Sequence, residues 1–411
     1  VILDQSETSD LWYAPVPHRP AGYLHPSRMT AGRLAATLRA AARPRHTLTG
    51  LAGLLREHAG RDRCLLAATG RAALAHAVQH TGAREVVLST FNCPAVADAV
   101  LAAGARPVLV DTDPVTGPAY TSADLDGRAV ILTNGLGLDE WRAHAARITE
   151  RGGVVLLDLA QAGLSPRVLR RFRGTSCPVV LSFGEGKQLG GLGGGALLTS
   201  APGTGENGLR SGGGLAALRR AVTARLVSHA PGAVRTAVAR AQSRTPGWSH
   251  TKADHLPAEA GPVDFGAPSR WEAAAAAALL RTADRVADRA ASLHQRVRAA
   301  VTAELTTCRP LDSDPDLGPG IELLFHRPGR RFLFARALAE HGVPSTWNYY
   351  PLHRLKPYAP YAAGPLAGAD SLWPRVLTVP KQPQPRLTAP LLVAALLAAD
   401  RAVRRQEAGH D

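Results

Sequence analysis

Short apolar runs that end on a polar residue recur along the first half of the chain. Val86-Val87-Leu88, Val108-Leu109-Val110 before Asp111, Ala129-Val130-Ile131-Leu132 before Asn134, Val154-Val155-Leu156-Leu157 before Asp158 and Val179-Val180-Leu181 before Ser182 share this form. Runs this short, without alternating polar residues, predict strands buried on both faces. Between them lie segments of helical spacing: Arg71–His80 stopped near Gly82, Ala95–Ala103 stopped by Gly104, and about Asp139–Glu150. Glycine just past the last periodic residue is a common helix stop. Strands alternating with helices predict an α/β fold, a three-layer α/β/α arrangement around a mostly parallel sheet. Ligands of such sheets bind beyond the carboxyl ends of the strands, where Asp158 and Ser182 stand.

The flanking regions follow other patterns. Residues 1–60, rich in Pro, Arg and His with one helical stretch at Ala31–Ala42, are expected to form an N-terminal arm. The large domain is expected over 61–298, closing on one long Ala-rich helix, Ser269–Val297, with Trp271, Leu279 and Leu280 on its buried side. Within it, 203–262 is an irregular insert with two Arg-studded helical stretches, Leu215–Ser228 and Ala233–Arg244. Residues 299–411 are expected to form a smaller α+β C-terminal domain, with Tyr358–Tyr361 as loop and Leu387–Val403 as its closing helix.

Composition narrows the function classes. The formal charge of +15 invites a nucleic-acid partner. The arginines are spread along the chain, however, and aromatic residues make up only 5%, too few for a base-stacking platform. No nucleic-acid partner is expected. No run approaches the roughly 20 apolar residues of a membrane span, and the N-terminus lacks a secretory pattern. The four cysteines, Cys64, Cys93, Cys177 and Cys308, form no CxxC pair, so reduced thiols, no metal site and a cytoplasmic location are expected. Lysine is rare: Lys187, Lys252, Lys356 and Lys381 are the whole set. Where one occurs, an amine is expected to be required.

The densest chemical signal is Ser182-Phe183-Gly184-Glu185-Gly186-Lys187-Gln188-Leu189-Gly190-Gly191. It is not a Walker loop, because Gln188 stands where Ser or Thr would bind magnesium and Leu181 where the first Gly belongs. A nucleophile elbow is excluded by Val180 in place of the first Gly of GxSxG. A pyridoxal-phosphate site finds its parts here. Lys187 offers the amine for a Schiff base, and Asp158 a carboxylate to keep the pyridine nitrogen protonated. Thr69-Gly70-Arg71-Ala72-Ala73-Leu74 opens a helix whose N-terminus suits a phosphate, with Ser182 adding a hydroxyl. Taken singly, Asp158 is as readily a strand-end turn residue and the glycine run a surface loop.

The order of these pieces resembles the DegT/DnrJ/EryC1/StrS aminotransferases, fold-type I pyridoxal-phosphate enzymes. Thr69–Leu74 resembles the family's S-G-T-A-A-L. Ala102-Ala103-Gly104-Ala105-Arg106-Pro107-Val108-Leu109-Val110-Asp111-Thr112-Asp113-Pro114 resembles its A-x-x-x-G-x-x-P-V-x-V-D-x-D-P, and Asp158-Leu159-Ala160-Gln161-Ala162 its D-A-A-Q-A. Ser182–Leu189 with Gly194-Gly195-Ala196 resembles S-F-x-x-x-K-x-L and G-G-A, while Tyr350-Pro351-Leu352-His353 and Val376–Pro380 resemble Y-x-P-L-H and L-x-L-P. The resemblance implies that Lys187 carries the cofactor and moves the proton, and that Asp158 pairs with the pyridinium. By the same resemblance Gln161 touches the phenolic oxygen, and Gly70, Arg71 and Ser182 hold the phosphate. Tyr350 and His353 become substrate-side candidates.

Some positions depart from the pattern. Cys93 falls where the family stacks an aromatic ring, with Phe91 two residues before it, and Gly163 replaces a frequent His. The N-Y-R-M segment is not recognisable near Phe265–Pro268. The resemblance implies a homodimeric aminotransferase moving an amino group from glutamate or glutamine to a carbonyl acceptor, such as a keto sugar or keto cyclitol, in sugar or secondary-metabolite biosynthesis. A pyridoxal-phosphate lyase, dehydratase or carbon–carbon bond-forming enzyme is the alternative, and a non-catalytic cofactor-binding protein a more distant one.

Overall fold

A computed structural model describes residues 17, 21, 31–113, 117–118, 128–137, 141–184, 187–188, 191–200, 263–347 and 349–408. The expected insert helices Leu215–Ser228 and Ala233–Arg244 lie outside the described residues. In chain order the first elements are α1 (Ala31–Ala41), α2 (Pro44–Ala59), β1 (Arg63–Ala67), α3 (Gly70–Thr81), β2 (Glu85–Ser89), α4 (Pro94–Ala102) and β3 (Arg106–Val110). After the two-residue strands β4 (Thr112–Asp113) and β5 (Gly117–Pro118) come β6 (Ala129–Thr133), α5 (Trp141–Glu150), β7 (Val154–Asp158), α6 (Pro166–Arg170), β8 (Val179–Ser182) and β9 (Gly195–Thr199). The remainder comprises α7 (Arg270–Leu280), α8 (Ala283–Val301), β10 (Cys308–Pro310), β11 (Ile321–Phe325), α9 (Arg330–Glu340), α10 (Ala367–Leu372), β12 (Val376–Val379) and α11 (Ala389–Ala408).

Seven strands form one sheet in the order β1-β9-β8-β7-β6-β2-β3. Strands β8, β7, β6, β2 and β3 run parallel, and β9 lies antiparallel between β1 and β8. Successive strand residues point to opposite faces, and both faces are apolar. Leu156, Ile131 and Leu88 pack under α3 and α4. Leu157, Leu132 and Val87 pack against α2, α5, α6 and α7. The expected three-layer α/β/α fold with its mostly parallel sheet is the observed one.

Two helical readings need correction. The segment expected to form one helix over Ser269–Val297 is two helices, α7 and α8, parted at Arg281-Thr282. Thr282 leaves the helical conformation at φ −116°, ψ 6°, and its hydroxyl accepts from Arg33 Nη2 at 2.6 Å. Its backbone N–H and hydroxyl also turn back to Leu279 O, at 3.1 and 3.3 Å. Within 1–60 a second helix, α2, follows the expected first one, and its Leu51 and Leu55 are fully built into the core. Pro at its first position marks that start.

The C-terminal part carries a three-stranded antiparallel sheet, β10-β11-β12. Its core joins Leu323 and Phe325 of β11 to Phe334 and Leu338 of α9 and Leu392 and Leu396 of α11. Helix α8 belongs to both cores, with Ala283 in the first and Leu293, Val297 and Val301 in the second. From β12 a bridge to Thr346 leads the chain back, and Leu352 N donates to Thr90 O at 2.8 Å. The segment 349–353 is thereby laid across the carboxyl end of β2. Among the described residues no helix is long and apolar enough to cross a membrane.

Glu322, in the middle of β11, is 1% exposed. It accepts from Thr378 Oγ1, while its Oε1 has no partner. Burial pushes its carboxyl up to about 8. A buried acid with a raised pKa favours the fold while it is protonated, and that advantage is lost as pH rises from its ordinary 4.5 through about 8. Glu322→Gln should therefore melt above the wild type at pH 8, with the gap closing towards pH 5. Parallel melting curves at both pH values would contradict this assignment.

Candidate active site

The carboxyl ends of β6, β7 and β8, the first turn of α3 and the segment after β2 surround one cavity of about 640 Å³. Of the residues expected at the site, Gly70, Arg71, Cys93, Asp158, Gln161, Ser182 and Lys187 line it. Asn92, Thr133 and Tyr349 line it too. They were not legible as site residues from the motif alone.

Asp158 ends β7 and is 3% exposed. Its Oδ1 accepts from Ala160 N at 2.9 Å. Thr133 hydrogen-bonds the same carboxylate, and the Thr133 hydroxyl in turn accepts from Asn92 Nδ2 at 3.0 Å. Burial raises the Asp158 carboxyl, and the positive charge of Lys187 is among the groups that oppose the rise. The carboxylate thus sits where a further cation would be welcome, because a buried charge is costly until paired.

Opposite, Thr69 caps α3 by accepting from Ala72 N at 3.0 Å, so the positive end of a 12-residue helix faces the cavity through Gly70 and Arg71. Ser182 lies so close that a Cβ on Gly70 would fall 2.7 Å from the Ser182 Cβ and 2.8 Å from its Oγ. Only glycine fits that approach. The Arg71 guanidinium is engaged by Asp98 at 3.5 Å, and Asp98 also accepts from the Tyr358 hydroxyl. What Arg71 offers the cavity is chiefly its backbone and its net positive end.

Gln161 donates from Nε2 to the Tyr349 hydroxyl. Burial holds the Tyr349 phenol well above its ordinary range, so it remains an O–H group. Tyr350, expected on the substrate side, packs its ring edge-on against Trp373 at 4.9 Å instead. The tyrosine that fits the Y-x-P-L-H spacing, with one residue before Pro351, is Tyr349. His353 faces Thr90 Oγ1 at 2.9 Å and Asp370 Oδ1 at 3.1 Å with its two ring nitrogens, and does not line the cavity. Phe91 lies edge-on to Tyr349, with ring centres 6.2 Å apart. It lines a neighbouring cavity of about 710 Å³ that shares Asn92 and Thr133 with the first. Cys93 lines the cavity together with Lys187, and burial pushes its thiol up.

These residues fit pyridoxal phosphate. A buried carboxylate suits a pyridinium nitrogen, the Gly70–Ser182 approach forms a cradle that any Cβ would fill, and Lys187 lines the same cavity. The fold is that of fold-type I pyridoxal-phosphate enzymes, and the cavity lies where that fold places its ligand.

Residues 46–207 match the model of the DegT/DnrJ/EryC1/StrS aminotransferase family. That segment contains every cofactor-side residue described above. The family implies pyridoxal 5′-phosphate as the cofactor. Among solved structures, a DegT DnrJ EryC1 StrS aminotransferase from Brucella abortus is 21% identical with a TM-score of 0.62, over 91% of this chain and 95% of that one. DesV of S. venezuelae, in complex with a ketimine intermediate, is 22% identical with a TM-score of 0.63, over 90% of this chain and 94% of that one. DesI, in the presence of its TDP-sugar product, is 21% identical with a TM-score of 0.66, over 98% of this chain and 100% of that one. At these identities the likeness is one of fold. No curated protein matches the sequence.

Gly70→Ala tests the cradle. Forcing a methyl against Ser182 should cost about 1–3 kcal/mol, as overpacking does, and should weaken cofactor binding. Unchanged denaturant stability together with unchanged cofactor affinity would contradict the close approach.

Proposed function

We propose that this aminotransferase uses Lys187 as the residue that carries the cofactor and moves the proton. The observation that supports the reading most is the gathering of Lys187, Asp158, Ser182 and the Thr69–Arg71 turn around one cavity. Bound there, pyridoxal phosphate supplies an electron sink that makes the α-carbon proton of an amino acid acidic.

The chain's own residues then divide the work. Asp158, held by Ala160 N and Thr133, would keep the ring nitrogen protonated. Gln161, oriented by Tyr349, would hydrogen-bond the phenolic oxygen. Gly70, Arg71 and Ser182 hold the phosphate at the positive end of α3. The Lys187 amine would hold the cofactor and would carry the proton that leaves the substrate α-carbon. The substrate-side role expected of Tyr350 and His353 falls to Tyr349, the aromatic hydroxyl inside the cavity.

The donor in this reading is glutamate or glutamine, and the acceptor a ketone on a sugar or cyclitol ring. The likeness to DesI, solved with its TDP-sugar product, supports a sugar carbonyl. The enzyme works as a homodimer in the cytoplasm, within sugar or secondary-metabolite biosynthesis.

Protein reconstituted with pyridoxal phosphate should show the visible absorption of a lysine-linked cofactor, and Lys187→Ala should abolish it. Anaerobic glutamate or glutamine should convert that absorption to the pyridoxamine-phosphate spectrum. A wild-type protein without the visible band would refute the role of Lys187. A band that no amino donor moves would instead favour a lyase, dehydratase or carbon–carbon bond-forming reaction.

A further inference from the structure

Of the four lysines, Lys381 is 0% exposed. Lysine is almost never buried so completely without partners. Its ammonium donates to Pro315 O and Gly318 O, and lies near enough to Glu322, Asp316 and His294 to bear on the charge of all three. A compact ammonium with three donors can bind two carbonyls at one point, which a planar guanidinium fork does less readily.

The two carbonyls belong to a loop, residues 313–318, that reaches the active site. Gly318 O also accepts from Gln188 Nε2, and the same Nε2 donates to Gln161 O at 2.7 Å. Gln188 is the immediate neighbour of Lys187 and is 4% exposed. Asp316 O accepts from Gly163 N at 2.6 Å, and Asp314 N donates to Gly137 O at 2.7 Å. One loop therefore touches the segments that follow β6, β7 and β8. Its far side is fixed by Arg167 on Asp316 at 2.6 Å and Arg171 on Asp314 at 2.5 Å.

Two glycines make room for it. At Gly137, φ +72°, a Cβ would fall 2.6 Å from the Gly318 Cα. A Cβ on Gly163 would stand 3.2 Å from both Asp316 O and Gln188 Oε1. Gly163 occupies the position where the family resemblance has a histidine. In this chain the 313–318 loop and the Gln188 amide fill that space.

We infer that Lys381 is a positioning residue for Lys187: it clamps Gly318, Gly318 holds Gln188, and Gln188 fixes the loop that carries the active-site amine. The inference rests on the reading of Lys187 as the cofactor-bearing residue. Without the clamp the loop still folds, but the amine is no longer held at one distance from Asp158.

The test uses full-length protein carrying Lys381→Met or Gln188→Leu. Hydrogen exchange is followed at 182–195 in cofactor-free protein, and the pH midpoint of the visible band in the reconstituted enzyme. Loss of a charge-assisted hydrogen bond should raise exchange in that segment roughly tenfold or more, and both variants should shift the midpoint in the same direction. The double variant should shift it no further than either single one, because the residues act through one contact. Lys381→Met with a lowered melting temperature but wild-type exchange and midpoint would overturn the inference, leaving Lys381 a mere staple. Should Lys381→Met not fold, Gln188→Leu decides: wild-type exchange and midpoint overturn the inference, and a shift in both supports it. A wild type without any visible band fails the Lys187 reading itself, and the cofactor-free exchange data still judge the clamp.

Discussion

The buried charge of Asp158 is the constraint around which the rest of the site is arranged. A carboxylate at the end of a central strand loses most of its water, and only local donors and a nearby cation keep its ionised form affordable. Ala160 N, the Thr133 hydroxyl and the charge of Lys187 supply part of that compensation. The remainder is a standing preference for a positive ligand atom beside β7. The parallel order of β6, β7 and β8 sets Thr133 opposite Asp158 and carries Ser182 two residues beyond Val180, the partner of Asp158, at the carboxyl ends of the strands. A carboxylate, a hydroxyl and a helix end thereby meet in one cavity.

Much of this was legible from the chain because fully buried strands leave a plain mark. The apolar runs ending at Asp158 and Ser182 are β7 and β8, and the Thr69 cap with Gly70 announced α3. What stayed hidden depends on contacts distant in sequence. At the break, Thr282 bonds back to Leu279 O and accepts from an arginine in α1, contacts that no alanine pattern reveals. Tyr349 and Tyr350 are neighbours with equal propensities. Only the return of the chain across Thr90 turns one into the cavity and the other onto Trp373.

The loop at 313–318 was opaque for a similar reason. Its sequence, Ser313-Asp314-Pro315-Asp316-Leu317-Gly318, reads as a solvated turn. Its carbonyls gain meaning only when Lys381, Gln188 and Gly163 converge on them. The scarcity of lysine was the one sequence signal that pointed there. In the proposed reading two of the four lysines have reasons to be amines, Lys187 for bond formation with a carbonyl compound and Lys381 for holding two backbone carbonyls. The departures from the family pattern at Gly163 and Cys93 are consistent with a site whose cofactor side is kept while its walls are rebuilt from elsewhere in the chain.

The central claim is that Lys187, and no other amine, carries the cofactor. Borohydride reduction of the reconstituted protein, followed by proteolysis and peptide mass spectrometry, reads this directly. The account predicts a single phosphopyridoxyl group on the peptide containing Lys187. Modification mapped to Lys252, Lys356 or Lys381 in its place would contradict it.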